Sequence, residues 1–145
     1  MHITRRIGSW LAAAALMTTG TLLAGVGTAS AADQFTYRVI DDGGGSVGVA
    51  VYNNGHYAGA AYWEADGDRL YAVDSYADGW GITGESWTPN ASSLNYRKVS
   101  TQGHSAPYKT GYATGDLREG TEVTVQVCIV KDGNESNCGS WNGHA

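Results

Sequence analysis

Carboxylates are the most abundant reactive groups in this 145-residue sequence, 14 Asp and Glu against 9 Lys and Arg and 4 His. Glu64, Asp66, Asp68, Asp74 and Asp78 cluster around the Asp66-Gly67-Asp68 step. Calcium takes about six to eight oxygens at about 2.4 Å, and acidic loops can supply them. The spacing is not that of an EF-hand, and Asp-Gly is also what a tight hairpin turn selects. The turn reading therefore takes precedence, and no metal or cofactor is expected. Two acids about 5 to 9 Å apart suffice for glycoside hydrolysis, so Glu64 with Glu85 is a conceivable pair, but nothing singles it out from the other acids.

His56 and His104 each follow a glycine and read as solvent-facing turn residues, and Gly143-His144, beside the C-terminus, reads as loose. No H-x-H or H-E-x-x-H spacing makes a zinc site. No G-x-S-x-G cue marks a nucleophile with its base. The sequence is accordingly read as non-catalytic.

The two cysteines, Cys128 and Cys138, carry a firmer signal. Val123, Val125, Val127 and Ile129 alternate with Thr124, Gln126, Cys128 and Val130 in strand fashion, and Asp132-Gly133-Asn134 marks a turn. Counting outward from Gly133 sets Cys128 opposite Cys138 and Lys131 opposite Glu135, so a disulfide is expected across a hairpin, with a charge pair beside it. A C-x-x-C spacing, which a reactive or metal-binding pair would favour, is missing.

These groups must be positioned by strands. Segments rich in β-branched and aromatic residues recur at Gln34 to Ile40, Ser46 to Tyr52, His56 to Glu64, Arg69 to Ser75, Trp80 to Trp87, Leu94 to Ser100, Tyr108 to Thr114 and Glu122 to Val130. Between them lie Gly-, Asp- and Asn-rich breaks whose Asn-Gly and Asp-Gly steps suit tight hairpins. Helix is expected to be nearly absent. The pattern predicts an all-β fold, an antiparallel β-sandwich or partly closed barrel of about eight short strands with one hairpin disulfide. Val47, Val49 and Val51 are expected to face the core, opposite to Gly48, Ala50 and Tyr52. Asp33 to Phe35 either pair as an edge strand or hang free.

Residues 1–32 read as a secretory signal peptide: Arg5-Arg6, an apolar run from Trp10 to Met17, and Ala29-Ser30-Ala31 as the cleavage pattern. Residues 33–145 then form a single β-domain that is secreted and extracellular, with no membrane segment left after cleavage. Taking 32 from 145 leaves 113 residues with 7 basic and 14 acidic side chains. An excess of acids without a basic cluster excludes a nucleic-acid partner.

After the leader, 4 Trp and 9 Tyr remain beside the single Phe35. Tyr and Trp are favoured over Phe where one edge of the ring must stay wet, as at binding surfaces. Tyr76, Trp80 and Trp87, in or beyond the Ala77-Asp78-Gly79 turn, are the candidate binding surface. The plainer alternative has Trp63, Trp87 and Trp141 filling a core short of Leu and Phe. Trp80, directly after Asp-Gly, is expected to be exposed.

Three stretches carry a resemblance: Gly59-Ala60-Ala61-Tyr62-Trp63 leading to Gly67-Asp68, Asp74 with Ala77-Asp78-Gly79, and Leu117-Arg118-Glu119-Gly120 leading to Val127-Cys128 and Cys138-Gly139-Ser140-Trp141. The chain resembles small secreted actinomycete β-proteins, largely without assigned function, some of which resemble the adaptor subunit of umbrella-shaped toxin particles. A weaker likeness to βγ-crystallin-like secreted inhibitors rests on Tyr52, Tyr57 and Gly59 and on Asn90-Ala91-Ser92-Ser93. The resemblance implies shared fold more than shared activity. Together with the missing catalytic groups, it sets the expectation of an adaptor or subunit that binds another secreted protein. The alternatives are a secreted hydrolase inhibitor, with Trp80 as its anchor, and a carbohydrate- or cell-wall-binding module.

Overall fold

The computed structural model describes residues 32–89 and 95–145. The signal-peptide reading of residues 1–32 lies outside the described residues but for Ala32, and so do Asn90-Ala91-Ser92-Ser93. Nine strands are present among the described residues, with no helix: β1 Phe35–Gly43, β2 Ser46–Asn53, β3 His56–Glu64, β4 Arg69–Asp74, β5 Gly81–Trp87, β6 Arg97–Ser100, β7 Tyr108–Lys109, β8 Glu122–Lys131 and β9 Asn134–His144. They form two antiparallel sheets, ordered β1-β2-β3-β4-β7 and β6-β5-β8-β9. The pair makes a sandwich and not a closed barrel.

Local chemistry sets the hairpins. The β1–β2, β2–β3 and β8–β9 connections are two-residue turns whose central residues all have positive φ, including Asn54 at 49° with Gly55 at 82° and Asp132 at 51° with Gly133 at 81°. That is the mirror-image turn matching the twist of the flanking strands, and Asn-Gly and Asp-Gly reach it most cheaply. Between the sheets, the alternate residues Val47, Val49 and Val51 meet Ala61, Trp63, Leu70 and Ala72 from the same sheet. Ile82 and the Val123, Val125, Val127, Ile129 series close the core from the other sheet. Gly59 is fixed by space: a Cβ there would run into the Val73 carbonyl oxygen and the Ile82 side chain across the core.

Cys128 pairs with Cys138 in the β8–β9 ladder, and the two form the disulfide, with Cα atoms 4.2 Å apart. The neighbouring charge pair differs from expectation. The Asp132-Gly133 turn sets Lys131 opposite Asn134 and Val130 opposite Glu135, and a bulge beside Cys128 absorbs the extra residue. Glu135 instead meets Lys98 at 2.8 Å, while the Lys131 ammonium lies 4.9 Å from the Trp80 ring centroid.

Other expectations also need correction. The chain beyond the turn is an eleven-residue strand, β9, absent from the sequence-based series. Gly143-His144 is not loose: the His144 N–H donates to Gly45 O at 2.9 Å and its carbonyl accepts the Trp63 indole N–H at 2.9 Å. The Tyr108 to Thr114 segment is a strand only at Tyr108–Lys109, with Ala113 bridging to Leu70. Trp63 is buried, but Trp87 is only half-buried and Trp141 is 56% exposed. Trp141 lies between Gly139 and Gly143 on the edge strand β9. Those two glycines take the close contacts, with Tyr37 and with Gly45 and Val47, which leaves the indole outside the core.

Candidate functional site

The small residues Gly48, Ala50 and Ala60 floor the outer face of the five-stranded sheet, and the Tyr62 ring lies across Gly48. A Cβ at Gly48 would come within 2.8 Å of the Tyr62 ring. Tyr62 and Tyr71, paired across β3 and β4, stack with centroids 5.0 Å apart and planes 15° apart. On the far side of Tyr71, the Lys109 ammonium sits 3.8 Å from its centroid, and Tyr112 meets it edge-on at 5.4 Å. Arg69 lies over Tyr112 and Arg38 over Tyr52, each at 4.9 Å. The hydroxyls of Tyr62 and Tyr57 are 3.3 Å apart, and Tyr57 packs edge-on against Tyr52. Burial, reinforced by the charge of Glu64, pushes the Tyr71 phenol up to about 12. Burial and the Tyr62 hydroxyl likewise raise Tyr57.

The strip ends at an open groove. His56, next in sequence to Tyr57, stacks on Tyr76 with centroids 5.5 Å apart. Tyr76 lines a groove of about 490 Å³ at the end of the sandwich where β4 stops and β5 begins. Trp80, Lys131 and the loop containing His104 and Ser105 supply other parts of its lining. Asp74, the last residue of β4, also lines it while only 3% exposed. One Asp74 oxygen accepts the Tyr76 N–H at 3.3 Å. Burial raises the Asp74 carboxyl above the usual carboxylate range, the Tyr76 N–H opposes that shift, and the nearby charge of Asp78 adds to it.

The sequence-based candidates divide. Tyr76 and Trp80 face the same groove, whereas Trp87 lies at the far end of β5, about 23 Å from Trp80 at about 3.3 Å per residue. Trp80 is not the exposed anchor expected. It packs edge-on against Phe35 at 5.5 Å, and its indole N–H donates to Asp33 at 2.8 Å. An Asp33 oxygen also accepts from Asn53, so the Asp33 to Phe35 segment is fastened as the start of an edge strand and does not hang free. The Asp33 carboxyl is lowered, first by the Trp80 hydrogen bond and then by that of Asn53.

The clustered acids go to separate local tasks. Glu64 pairs with Arg69 at 2.8 Å, Asp68 accepts the Leu117 N–H at 2.6 Å, and Asp78 accepts from Trp80 N–H and Asn53. Among the described residues no three His, Cys, Asp or Glu side chains gather closely enough to hold a metal ion. Glu64 and Glu85 stand on different sheets, and Lys98 pairs with Glu85 at 3.0 Å. His104 stacks flat on Tyr108 at 3.8 Å.

Sequence reasoning missed the tyrosine strip, yet the signal was present. Tyr52 follows inward Val51, Tyr62 lies between inward Ala61 and Trp63, and Tyr71 lies between inward Leu70 and Ala72. Strand alternation therefore assigns all three to the outer face. The fold and site together describe a two-sheet antiparallel sandwich with one aromatic, cation-laced face running into an end groove. No protein-family model, curated protein or solved structure matches this chain.

Proposed function

We propose that this chain is a secreted, non-catalytic protein-binding domain, an adaptor or subunit of an extracellular complex, and that its partner docks on the tyrosine strip. The single observation carrying this reading is the pre-ordered array Tyr62, Tyr71 and Tyr112 with Lys109 and Arg69 against the rings. Tyr and Arg dominate binding hot spots because they offer large contact area with little conformational freedom to lose. Sugar stacking needs a free ring face. Tyr71 has Tyr62 on its β3 side and Lys109 on its β7 side, which favours a protein partner over a carbohydrate. The half-buried, fastened Trp80 likewise favours an adaptor over an inhibitor that inserts an exposed anchor.

The test is co-purification from the native culture fluid under non-reducing conditions. The wild-type chain is expected to retain a secreted protein that a Tyr71→Ala, Tyr112→Ala double variant binds at least tenfold less well, with both chains shown to be folded. Equal retention by the two, or no retained protein, would overturn the reading.

A further inference from the structure

The two ends of the sandwich treat a buried charge differently. At the end holding the start of β6, Arg97 is 7% exposed, its guanidinium lies 5.1 Å from the Trp63 ring centroid, and it feels the charge of the equally buried Asp68. The segment after β7 covers the arrangement: a Cβ at Gly115 would run into the Arg97 guanidinium, and Asp68 accepts the Leu117 N–H. That end thus contains an aromatic ring, a carboxylate and a guanidinium. The groove at the opposite end has the first two, the rings of Tyr76 and Trp80 with the buried carboxylate of Asp74.

Asp74 gives one oxygen to the Tyr76 N–H, and its second oxygen, which is not among the fully buried polar atoms left without a partner, opens onto the groove that the residue lines. A buried carboxylate keeps its charge only when paired or hydrogen-bonded. Asp132 also lines the groove, and Asp78 is near enough to act on Asp74; the one Lys on the lining, Lys131, lies over the Trp80 ring, which leaves Tyr76 as the ring beside Asp74. The local field is therefore that of an anion-lined cleft with aromatic walls, which suits a guanidinium by both charge-assisted hydrogen bonding and cation–π contact. A groove of about 490 Å³ has room for such a side chain with its flanking residues.

We infer that the groove is a receptor for an arginine side chain of the partner protein, with Asp74 as its carboxylate and Tyr76 as the ring beside it. This inference rests on the protein-binding reading and specifies the chemistry that the partner brings. A free citrulline analogue, neutral and of the same shape, lacks the charge the site requires.

The test is titration of the isotope-labelled protein at pH 7.5 with N-acetyl-arginine methylamide, N-acetyl-lysine methylamide and the citrulline counterpart, read from amide chemical shifts. The arginine compound is expected to give saturable shifts at Tyr76, Ala77 and His104 with Kd on the order of millimolar, as suits one isolated side chain. Asp74→Asn is expected to weaken it at least tenfold. Lys131→Gln, which removes the competing cation, is expected to tighten it about threefold, and this second variant carries the test should Asp74→Asn not fold. Equal binding of arginine and citrulline compounds, tighter binding of the lysine compound, or indifference to both substitutions would overturn the inference. The titration needs no partner, so arginine binding without co-purification would count against the protein-binding reading alone, and co-purification without arginine binding against the groove alone.

Discussion

The end of the sandwich at Arg97 and the end at Asp74 are built from the same elements and finished differently. At the first, a chain segment folds down over the guanidinium, which lies against the Trp63 ring and within the field of Asp68 while its Nε stays without a partner. At the second, β4 ends at Asp74, and the chain continues through Tyr76 to Trp80 at the lip of the groove, whose lining the largely buried Asp74 joins. Burying a charge is costly unless its environment answers it. The closed end sets a carboxylate and a ring beside its guanidinium, whereas the open end leaves its carboxylate to the groove, where a cation would be favoured.

Three variants probe that contrast. The largest effect is expected at the closed end: Arg97→Ala strips the ring contact with Trp63 and leaves Asp68 buried beside no cation. It should destabilise the domain by about 3 kcal/mol or more in denaturant titration. If it proved neutral, the two ends would not differ in the way described.

Much of this was legible beforehand. Counting outward from Gly133 along the alternation of Val123 to Ile129 placed Cys128 opposite Cys138, and the structure pairs them, although the two-residue Asp132-Gly133 turn alone would set Cys128 opposite Asn137 and the bulge beside Cys128 supplies the shift. The bulge beside Cys128 was not legible. It inserts one residue without changing the alternation pattern on β8, while the two-residue turn sets Lys131 opposite Asn134 and leaves Glu135 to meet Lys98. Trp141 misled for a related reason: its strand and facing follow from pattern, but β9's place at the sheet edge is a matter of strand order. Of the site, Tyr76 and the groove-lining Trp80 were recognised through the Asp78-Gly79 turn between them. Asp74 was seen only as one acid among five, since nothing in a sequence distinguishes a carboxylate at the mouth of a core from one in a solvated loop.

A smaller effect is expected where the hairpin disulfide clasps one groove wall. Replacing Cys128 and Cys138 together by Ala should cost about 2 to 3 kcal/mol on the chain-entropy account. Hydrogen exchange should quicken around Val130 to Asn134 on the groove side, while the Leu117 amide at the closed end stays protected.

The smallest effect has the opposite sign. Folding raises the Asp74 carboxyl, so the folded chain holds that proton more tightly than the unfolded one. Stability from this group is therefore highest at low pH and declines as pH rises past the unfolded value of about 3.9, with the full cost present above the folded value. Asp74→Asn cannot ionise and can still accept the Tyr76 N–H. It should be more stable than wild type at pH 7, by no more than about 1 kcal/mol, with the difference fading in acid. A less stable variant at pH 7 would assign Asp74 to structure, not binding.

The most direct measurement is radical footprinting of the tyrosines in the chain alone and with its native secreted proteins. Tyr112 on the strip and Tyr96 on the other sheet's outer face start from matched exposure, 46% and 47%, with Tyr76 at the groove at 40%. The account predicts that Tyr112 and Tyr76 become protected while Tyr96 keeps its reactivity. Protection of Tyr96 alone, or of none of the three, would contradict it.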